Sequence, residues 1–216
     1  MTILLGDHEV EAMHLGNRMI FEVWVGDSLI WPKPENVARG IYYDGEGVGY
    51  TTLLVPWWTR EAHIFAMGAG GGGGGGDGAI GRWGRPGSPG QAQYVKYTRE
   101  PGGGEEIRTQ IHPAGKGGAA ERNGEAGGST IVEYQSGILT AAGGAGGSGY
   151  SAIRVNPSSP QTISLSDPET RFGPQTFPDY YPDAGYGGGG GRGGTFGNAG
   201  SGEDGRRGIV FVIFTP

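Results

Sequence analysis

Nine of the eleven residues from Gly68 to Gly78 are glycine, and the block follows directly on AHIFAM, Ala62 to Met67. In that segment Ala62, Ile64 and Ala66 alternate with His63, Phe65 and Met67, as a β-strand requires. Two similar blocks follow, AAGGAGGSG (Ala141 to Gly149) and AGYGGGGGRGG (Ala184 to Gly194), with a looser one from Gly115 to Gly128. Two readings compete. A flexible linker is one, because ordering seven consecutive glycines costs on the order of 10 kcal/mol of backbone entropy. The other is that several runs pack side by side as polyproline II helices. Such a helix makes no internal hydrogen bonds, so its N–H and C=O groups point outward to neighbours. Each bond between runs contributes about 0.5–1.5 kcal/mol net, so several runs together can offset the entropy where one cannot. At 3.1 Å per residue, seven glycines span about 22 Å. Each block adjoins a strand-like segment and none is a Gly/Ser repeat, which favours packing. The expected scaffold glycines are Gly70, Gly71, Gly72, Gly73, Gly74, Gly75 and Gly76 in the first run. In the second they are Gly143, Gly144, Gly146 and Gly147, and in the third Gly187, Gly188, Gly189, Gly190 and Gly191.

Glycine and proline number 49 and 14 of 216 residues, a share that usually marks low complexity. Here the glycines cluster between apolar segments, so a core can form. The chain as a whole has no Gly-X-Y period, which argues against collagen. A net charge of −6 without a basic run argues against nucleic acid as a partner. The absence of cysteine excludes disulfides, thiol catalysis and zinc–thiolate sites. The N-terminus lacks the basic and apolar regions of a secretory signal. No apolar run reaches the ~20 residues that span a bilayer as a helix, so the expected protein is not membrane-embedded.

Residues 1–31 contain a ten-residue repeat. Gly6, Gly16 and Gly26 recur at one position, and Asp7, Asn17 and Asp27 at the next. Gly followed by Asp or Asn suits a two-residue type II′ turn, so the spacing predicts an antiparallel meander of four strands ending at Trp31. This is either a plain repeat or a docking module, since so short a sheet is marginal alone and has edges to offer. Pro32 and Pro34 open an expected linker over 34–47. Strands are then expected at Tyr50 to Val55, Ala62 to Met67, Gln91 to Thr98, Glu105 to Ile111, Ser129 to Tyr134, Gly149 to Val155 and Gly208 to Thr215. The last is the most apolar and is placed at the centre of a sheet. Gly81 to Gly90, with Trp83, Pro86 and Pro89, reads as a loop, and Thr162 to Leu165 as a short strand. No segment shows a 3.6-residue period. The fold class is therefore all-β: a small N-terminal antiparallel β-hairpin repeat over 1–33, a linker, and a jelly-roll-like β-sandwich over 48–216 with packed polyglycine II helices.

Chemistry-bearing patterns are sparse. Gly68-x-Gly70-x-x-Gly73 formally matches a dinucleotide fingerprint, but the glycine run makes the match automatic and no helix follows. The four histidines, His8, His14, His63 and His112, lack ligand spacing. Carboxylates at Asp167 and Glu169, and from Asp179 to Asp183, show no calcium-loop spacing and no inferable glycosidase groove. No catalytic residue, cofactor or metal is expected. The aromatics Phe172, Phe177, Tyr180, Tyr181 and Tyr186 fall in a Pro-rich stretch and at the start of the last Gly block. There they either contact a receptor, as aromatics on a scaffolded loop can, or pin the loop to the sandwich. Trp57 and Trp58 read as packing at the entry to a core strand.

Residues 50–216 resemble the glycine-rich domain of phage minor tail proteins, especially those of mycobacteriophages. The resemblance rests on the strand closing at Pro56, Trp57 and Trp58, the segment HIFAMGAGGGGGGG, GGSTIVEY, LTAAGGAGGSG and the terminal GSGEDGRRGIVFVIF. The LLGD, HLGN and WVGD repeat is similar to one heading many such proteins. This implies a virion component near the tail tip, made in the host cytoplasm and contacting other tail proteins through the repeat. It also implies exposure to a host-envelope partner; the expected role there is receptor binding, as a homotrimer that multiplies weak contacts. Some phage adhesins and one receptor tyrosine kinase ectodomain similarly carry packed polyglycine helices on a β-scaffold. The rival expectations are a purely structural tail-tip spacer and an envelope glycan hydrolase. The segment Asn156 to Asp183 has no counterpart in the resemblance.

Overall fold

The computed structural model describes residues 46–78, 81–100, 104–149, 185–194 and 199–215, and short strands elsewhere. Three of the short pairings lie in the N-terminal repeat: β1 (Leu4–Leu5) with β2 (His8–Glu9), β3 (Met13–Leu15) with β4 (Arg18–Ile20), and β5 (Val23–Val25) with β6 (Ser28–Trp31). Leu5 pairs with His8, Leu15 with Arg18 and Val25 with Ser28, so each hairpin closes over two residues, as the repeat predicts. The turn residues Gly6, Asp7, Gly16, Asn17, Gly26 and Asp27 lie outside the described residues. Among those described, the expected four-stranded meander is replaced by three separate two-stranded ladders. Pairing stays local, where loop closure costs least.

The remaining long strands form two antiparallel four-stranded sheets. The first contains β7 (Val37–Tyr42), β9 (Glu61–Met67), β10 (Ala92–Thr98) and β16 (Ile209–Thr215), in the order β10-β9-β16-β7. The second contains β8 (Gly49–Leu54), β11 (Glu106–Ile111), β12 (Thr130–Tyr134) and β13 (Gly137–Ala141), in the order β13-β12-β11-β8. As its composition predicts, β16 is interior, with all seven residues buried between β9 and β7. Residues 37–42, expected within a linker, instead form the edge strand β7, paired with β16 from Val37↔Phe214 to Tyr42↔Ile209. The apolar strand outside the linker recruits them, because an unpaired flank of β16 would leave its backbone N–H and C=O groups without partners. β13 was not expected either; it follows β12 through a two-residue turn at Gln135-Ser136. A further short pair joins β14 (Ser164–Leu165) to β15 (Gln175–Thr176).

The core between the sheets is built by the alternation read from the sequence. Ala62, Ile64 and Ala66 of β9 and Val210, Val212 and Phe214 of β16 meet Ile107, Ile111, Val132 and Ala141 from the second sheet. The opposite face of β9 and β16 is also buried, through Phe65, Met67, Ile209, Phe211 and Ile213. His63 lies on that face, 1% exposed, with Nδ1 3.0 Å from the Tyr94 hydroxyl. This double burial is why β16 reads as a continuous apolar run rather than an alternating one.

At the end of the sandwich away from the glycine runs, Arg99 Nε lies 2.6 Å from Glu105 Oε2, and both side chains are nearly buried. Arg99 also donates to the carbonyls of Pro56 and Thr59, tying the β8–β9 connection to the end of β10. Tyr97 donates to Glu105 Oε1 at 2.7 Å and stacks on Tyr134 at 5.1 Å. A cleft of about 510 Å³ opens beside this pair, lined also by Glu106, Arg108 and Glu133. Burial, then the bond to Glu105, pushes the Tyr97 phenol well above its ordinary value of 10.0. The unfolded chain therefore ionises this tyrosine first. Its contribution to stability is complete below about pH 10 and is lost as pH rises further. Urea midpoints measured from pH 8 upward should begin to fall near pH 10, and the fall should be shallower in Tyr97→Phe.

Candidate functional site

The other end of the sandwich carries six strand ends, and each continues into or out of a glycine run. β9, β11 and β13 lead outward into residues 68–77, 113–121 and 142–148. Residues 82–91, 122–128 and 200–206 return into β10, β12 and β16. A seventh run, 185–194, also travels outward, following the Pro-rich segment.

Run 68–77 is the axis of the bundle. Its ten N–H groups all donate, in strict rotation, to three returning runs. Gly68, Gly71, Gly74 and Asp77 bond Gln91, Ser88, Arg85 and Arg82. Ala69, Gly72 and Gly75 bond Gly128, Glu125 and Arg122, and Gly70, Gly73 and Gly76 bond Arg206, Glu203 and Gly200. Its carbonyls accept from the three outgoing runs. Gly144 and Gly147 donate to Ala69 and Gly72. Gly115, Gly118 and Glu121 donate to Gly70, Gly73 and Gly76, and Gly188, Gly191 and Gly194 donate to Gly71, Gly74 and Asp77. A three-residue rotation with no bond inside the run is the signature of polyproline II geometry.

The six outer runs also bond to each other and close a ring: 82–91, 142–148, 122–128, 113–121, 200–206, 185–194, and back to 82–91. Outgoing and returning runs alternate around it. Bonds such as Arg85 to Ser148, Gly124 to Gly147, Glu125 to Lys116, Gly202 to Gly118, Glu203 to Gly189 and Gly84 to Gly191 link successive members, at 2.8–3.0 Å. Ten residues at 3.1 Å each give the axis a length of about 31 Å. The expected packing of the Gly blocks is therefore present. The loose block at Gly115 to Gly128 is two antiparallel runs joined by a tight turn in which Arg122 N–H bonds the Ala119 carbonyl. Glu121 in that turn has φ of 63°, a left-handed conformation that glycine adopts at less cost.

Position in the ring sets the glycine pattern. Along the glycine part of the axis every position faces a neighbour: a Cβ added to any of Gly70–Gly76 would lie 1.8–2.3 Å from a carbonyl oxygen. Outgoing runs need two glycines in three. Gly143 and Gly146 face Gly127 and Gly124, Gly144 and Gly147 face Ser88 and Arg85, and Ala145 points out. Returning runs need one in three. Gly84, Gly87 and Gly90 face the axis, as do Gly124, Gly127, Gly202 and Gly205.

Gly81 to Gly90 is thus a packed run and not the loop that its prolines suggested. Its Gly84-Arg85-Pro86-Gly87-Ser88-Pro89-Gly90 sequence is a local Gly-x-x period. Pro86 and Pro89 take the one phase whose nitrogen faces no neighbour, and proline's fixed φ already suits the helix. Ala126 occupies the same phase in run 122–128 and is exposed. Ala126→Pro should therefore raise stability by about 0.4–1 kcal/mol by restricting the unfolded chain. Glu125→Pro, which removes the bond to Lys116, should lower it. Thermal melts of the two variants read the difference.

The lattice also disposes of the dinucleotide fingerprint, since the N–H groups of Gly68, Gly70 and Gly73 are all donated to protein carbonyls. Of the aromatics read as receptor contacts, Phe172, Phe177, Tyr180 and Tyr181 lie outside the described residues. Tyr186 is described. It is half-buried at the sandwich-proximal start of run 185–194, where its carbonyl faces Gly70 and accepts from Arg206 N–H. The scaffold glycines Gly187, Gly188, Gly189, Gly190 and Gly191 follow it in the same run.

Along the seam between this run and 200–206 lies a groove of about 580 Å³, lined by Tyr186, Gly187, Gly188, Gly202, Glu203, Asp204 and Arg206. Glu203 Oε2 accepts from Gly189 N–H at 3.3 Å across this seam, whereas Asp204 Oδ1 accepts from Gly117 N–H at 2.7 Å in run 113–121, on the other side of run 200–206. Sequence reasoning passed over Glu203, Asp204 and Arg206. The signal that could have found them is the Gly202-x-x-Gly205 spacing, which repeats Gly84-x-x-Gly87 and places the two intervening residues on the outside.

Among curated proteins no significant match to the chain was found. A family model described as a glycine-rich domain matches residues 46–170, more than half of the chain. That span covers the axis and four of the six runs packed on it, and the chain belongs to this glycine-rich domain family.

Proposed function

We propose that this protein is a non-enzymatic virion component of a bacteriophage tail tip, and that its polyglycine bundle holds contact surfaces toward the host envelope. The observation that carries the reading is the closed ring of six runs around a seventh. A bundle with every axial N–H bonded has no soft hinge, so surfaces mounted on it keep their orientation at a distance from the sandwich. The sequence resemblance to phage minor tail proteins supplies the setting. The N-terminal hairpins, with their short open edges, suit attachment to other tail proteins. A homotrimer would multiply weak envelope contacts.

The test is host adsorption of virions carrying this chain without residues 156–183, together with blocking by antibody against the purified chain. Reduced adsorption and effective blocking are expected. Unchanged adsorption with a correctly assembled tail removes the receptor-binding role. One observation favours the rival reading of a structural spacer: among the described residues, the large exposed apolar side chains Tyr50, Leu54, Tyr94 and Ile138 all belong to the sandwich strands and none to the bundle. A virion map with the bundle enclosed by other tail subunits would establish that alternative.

A further inference from the structure

We infer that β8 is a self-pairing edge: two copies of this chain join through it, antiparallel, so that the second sheet of each becomes one continuous sheet. The inference goes beyond the tail reading and does not depend on it.

β8 lies at one side of its sheet, with β11 as its neighbour there. Val55 N–H bonds the Glu105 carbonyl, and the register runs on from that pair to Gly49↔Ile111. In an antiparallel ladder such bonded pairs alternate with pairs whose N–H and C=O groups point away. Gly49, Thr51 and Leu53 therefore direct theirs at β11, and Tyr50, Thr52 and Leu54 hold theirs out along the free side. The side chains of these three stand on the outer face, where Tyr50 is 71% and Leu54 72% exposed, and Thr52 is exposed. Thr51, on the inner face beside buried Thr109, is exposed as well.

Unpaired main-chain groups flanked by exposed apolar side chains are a template for another strand. The other described edges of the two large sheets are guarded. β10 and β13 lie beside each other. β7 carries Arg39, which its pairing with Val212 places on the core-facing side, and an inward charge opposes edge pairing. β8 has neither guard, and no charged side chain occurs from Gly47 to Trp58.

That neutrality selects the occupant. In a twofold contact each copy presents the same patch, so a charge at the centre would face its own copy. Centred on Thr52, the pairing sets Thr52 against the second copy's Thr52, and Tyr50 against the second copy's Leu54 at either end. Hydrogen-bonded Thr pairs and aromatic–apolar contacts stabilise cross-strand neighbours. On the inner face exposed Thr51 meets Leu53, which is only half-buried in the single chain. The nearest charges are compatible. Arg108, beside Thr52 on β11, would stand about 14 Å from its copy, beyond the screening length, and it bonds Glu106 at 3.0 Å. One strand pair is a small contact, so micromolar strength is expected. The pairing closes at two copies, and a homotrimer would have to use other surfaces.

The experiment is sedimentation equilibrium of the full chain from about 1 to 500 μM. A monomer–dimer equilibrium is expected. Thr52→Pro should weaken it by about tenfold or more, because it removes a donor on the free side while the bonds to β11 stay, and an edge position of this kind tolerates proline. Thr52→Lys should weaken it similarly, by setting two like charges face to face. An equal mixture of Thr52→Lys and Thr52→Glu chains should dimerise again. Circular dichroism of each variant at low concentration should match the wild type, which separates lost pairing from lost folding. Ile138→Lys, on β13, should change nothing. A chain monomeric throughout leaves β8 to a strand of some other protein and overturns the inference. So does a dimer or trimer that neither Thr52→Pro nor Thr52→Lys weakens, or a mixture that stays monomeric. Virion adsorption that depends on the chain but is unaffected by Thr52→Lys would keep the tail reading whatever the outcome for β8.

Discussion

Replacing Gly72 with alanine should cost more than about 4 kcal/mol and leave the glycine bundle unfolded. The added Cβ would sit 2.1 Å from the Lys116 carbonyl oxygen and 2.3 Å from its carbon. Both are main-chain atoms, so no side chain can swing aside. The axis cannot retreat either, because Gly72 N–H is bonded to Glu125 and its carbonyl to Gly147 N–H, on two other runs. Relief on one side compresses another, and the shift breaks axial bonds above and below. Each broken bond in a buried lattice leaves a donor and an acceptor without water. Gly47→Ala is the matched control. Nothing lies within 4 Å of a Cβ there, so its effect should stay within about 0.5 kcal/mol. Circular dichroism and urea unfolding of the two proteins provide the comparison. A Gly72→Ala protein with wild-type stability would mean that the runs are not bonded as described.

Removing the carboxylate of Glu105 should destabilise the sandwich by about 3–5 kcal/mol, the usual result of leaving one member of a buried ion pair without its partner. Arg99 and Glu105 have side chains only 6% and 9% exposed, so water cannot replace the lost charge. Glu105→Ala also strands the Tyr97 hydroxyl, whose 2.7 Å bond ends on Oε1. Glu105→Gln keeps an acceptor for Tyr97 and isolates the charge effect. The double variant Arg99→Met, Glu105→Met should recover only the part of the loss that is due to the unpaired charge, because the Tyr97 hydroxyl and the Pro56 and Thr59 carbonyls still lose their partners. Urea unfolding of the single and double variants forms the cycle. Equal losses in all of them would show that the pair contributes through packing and not through charge.

The strands were legible because their alternation is local. Ala62, Ile64 and Ala66 share a face at any β-geometry, and the apolar run from Ile209 to Phe214 has few places to be other than a sheet interior. The tight hairpins of the N-terminal repeat were legible for the same reason, since the spacing of Gly6, Gly16 and Gly26 marks each reversal. β7 was not. Val37–Tyr42 acquires its strand character from β16, a partner more than 160 residues away, and its Gly40 and polar flanks read as linker. The run 82–91 was hidden by Pro86 and Pro89, which end helices and sheets but are compatible with an extended three-fold helix. The groove residues Glu203, Asp204 and Arg206 were passed over because nothing in GSGEDGRRG reveals that Tyr186 lies across the seam.

The glycine clusters by themselves determined that any ordered form of this chain must satisfy main-chain hydrogen bonds between runs. A polyproline II segment has no internal bonds and glycine offers no side chain to pack. What only the tertiary structure decided is which run takes the axis, which runs surround it and in which direction each travels. Those choices follow from the six strand ends of the sandwich. They set outgoing and returning segments side by side, so that 68–77 stands where all three of its phases meet a neighbour. The outer runs keep one or two phases free for proline, tyrosine and charged side chains. An isolated sequence window cannot distinguish a phase that will face a carbonyl at 2 Å from one that will face water.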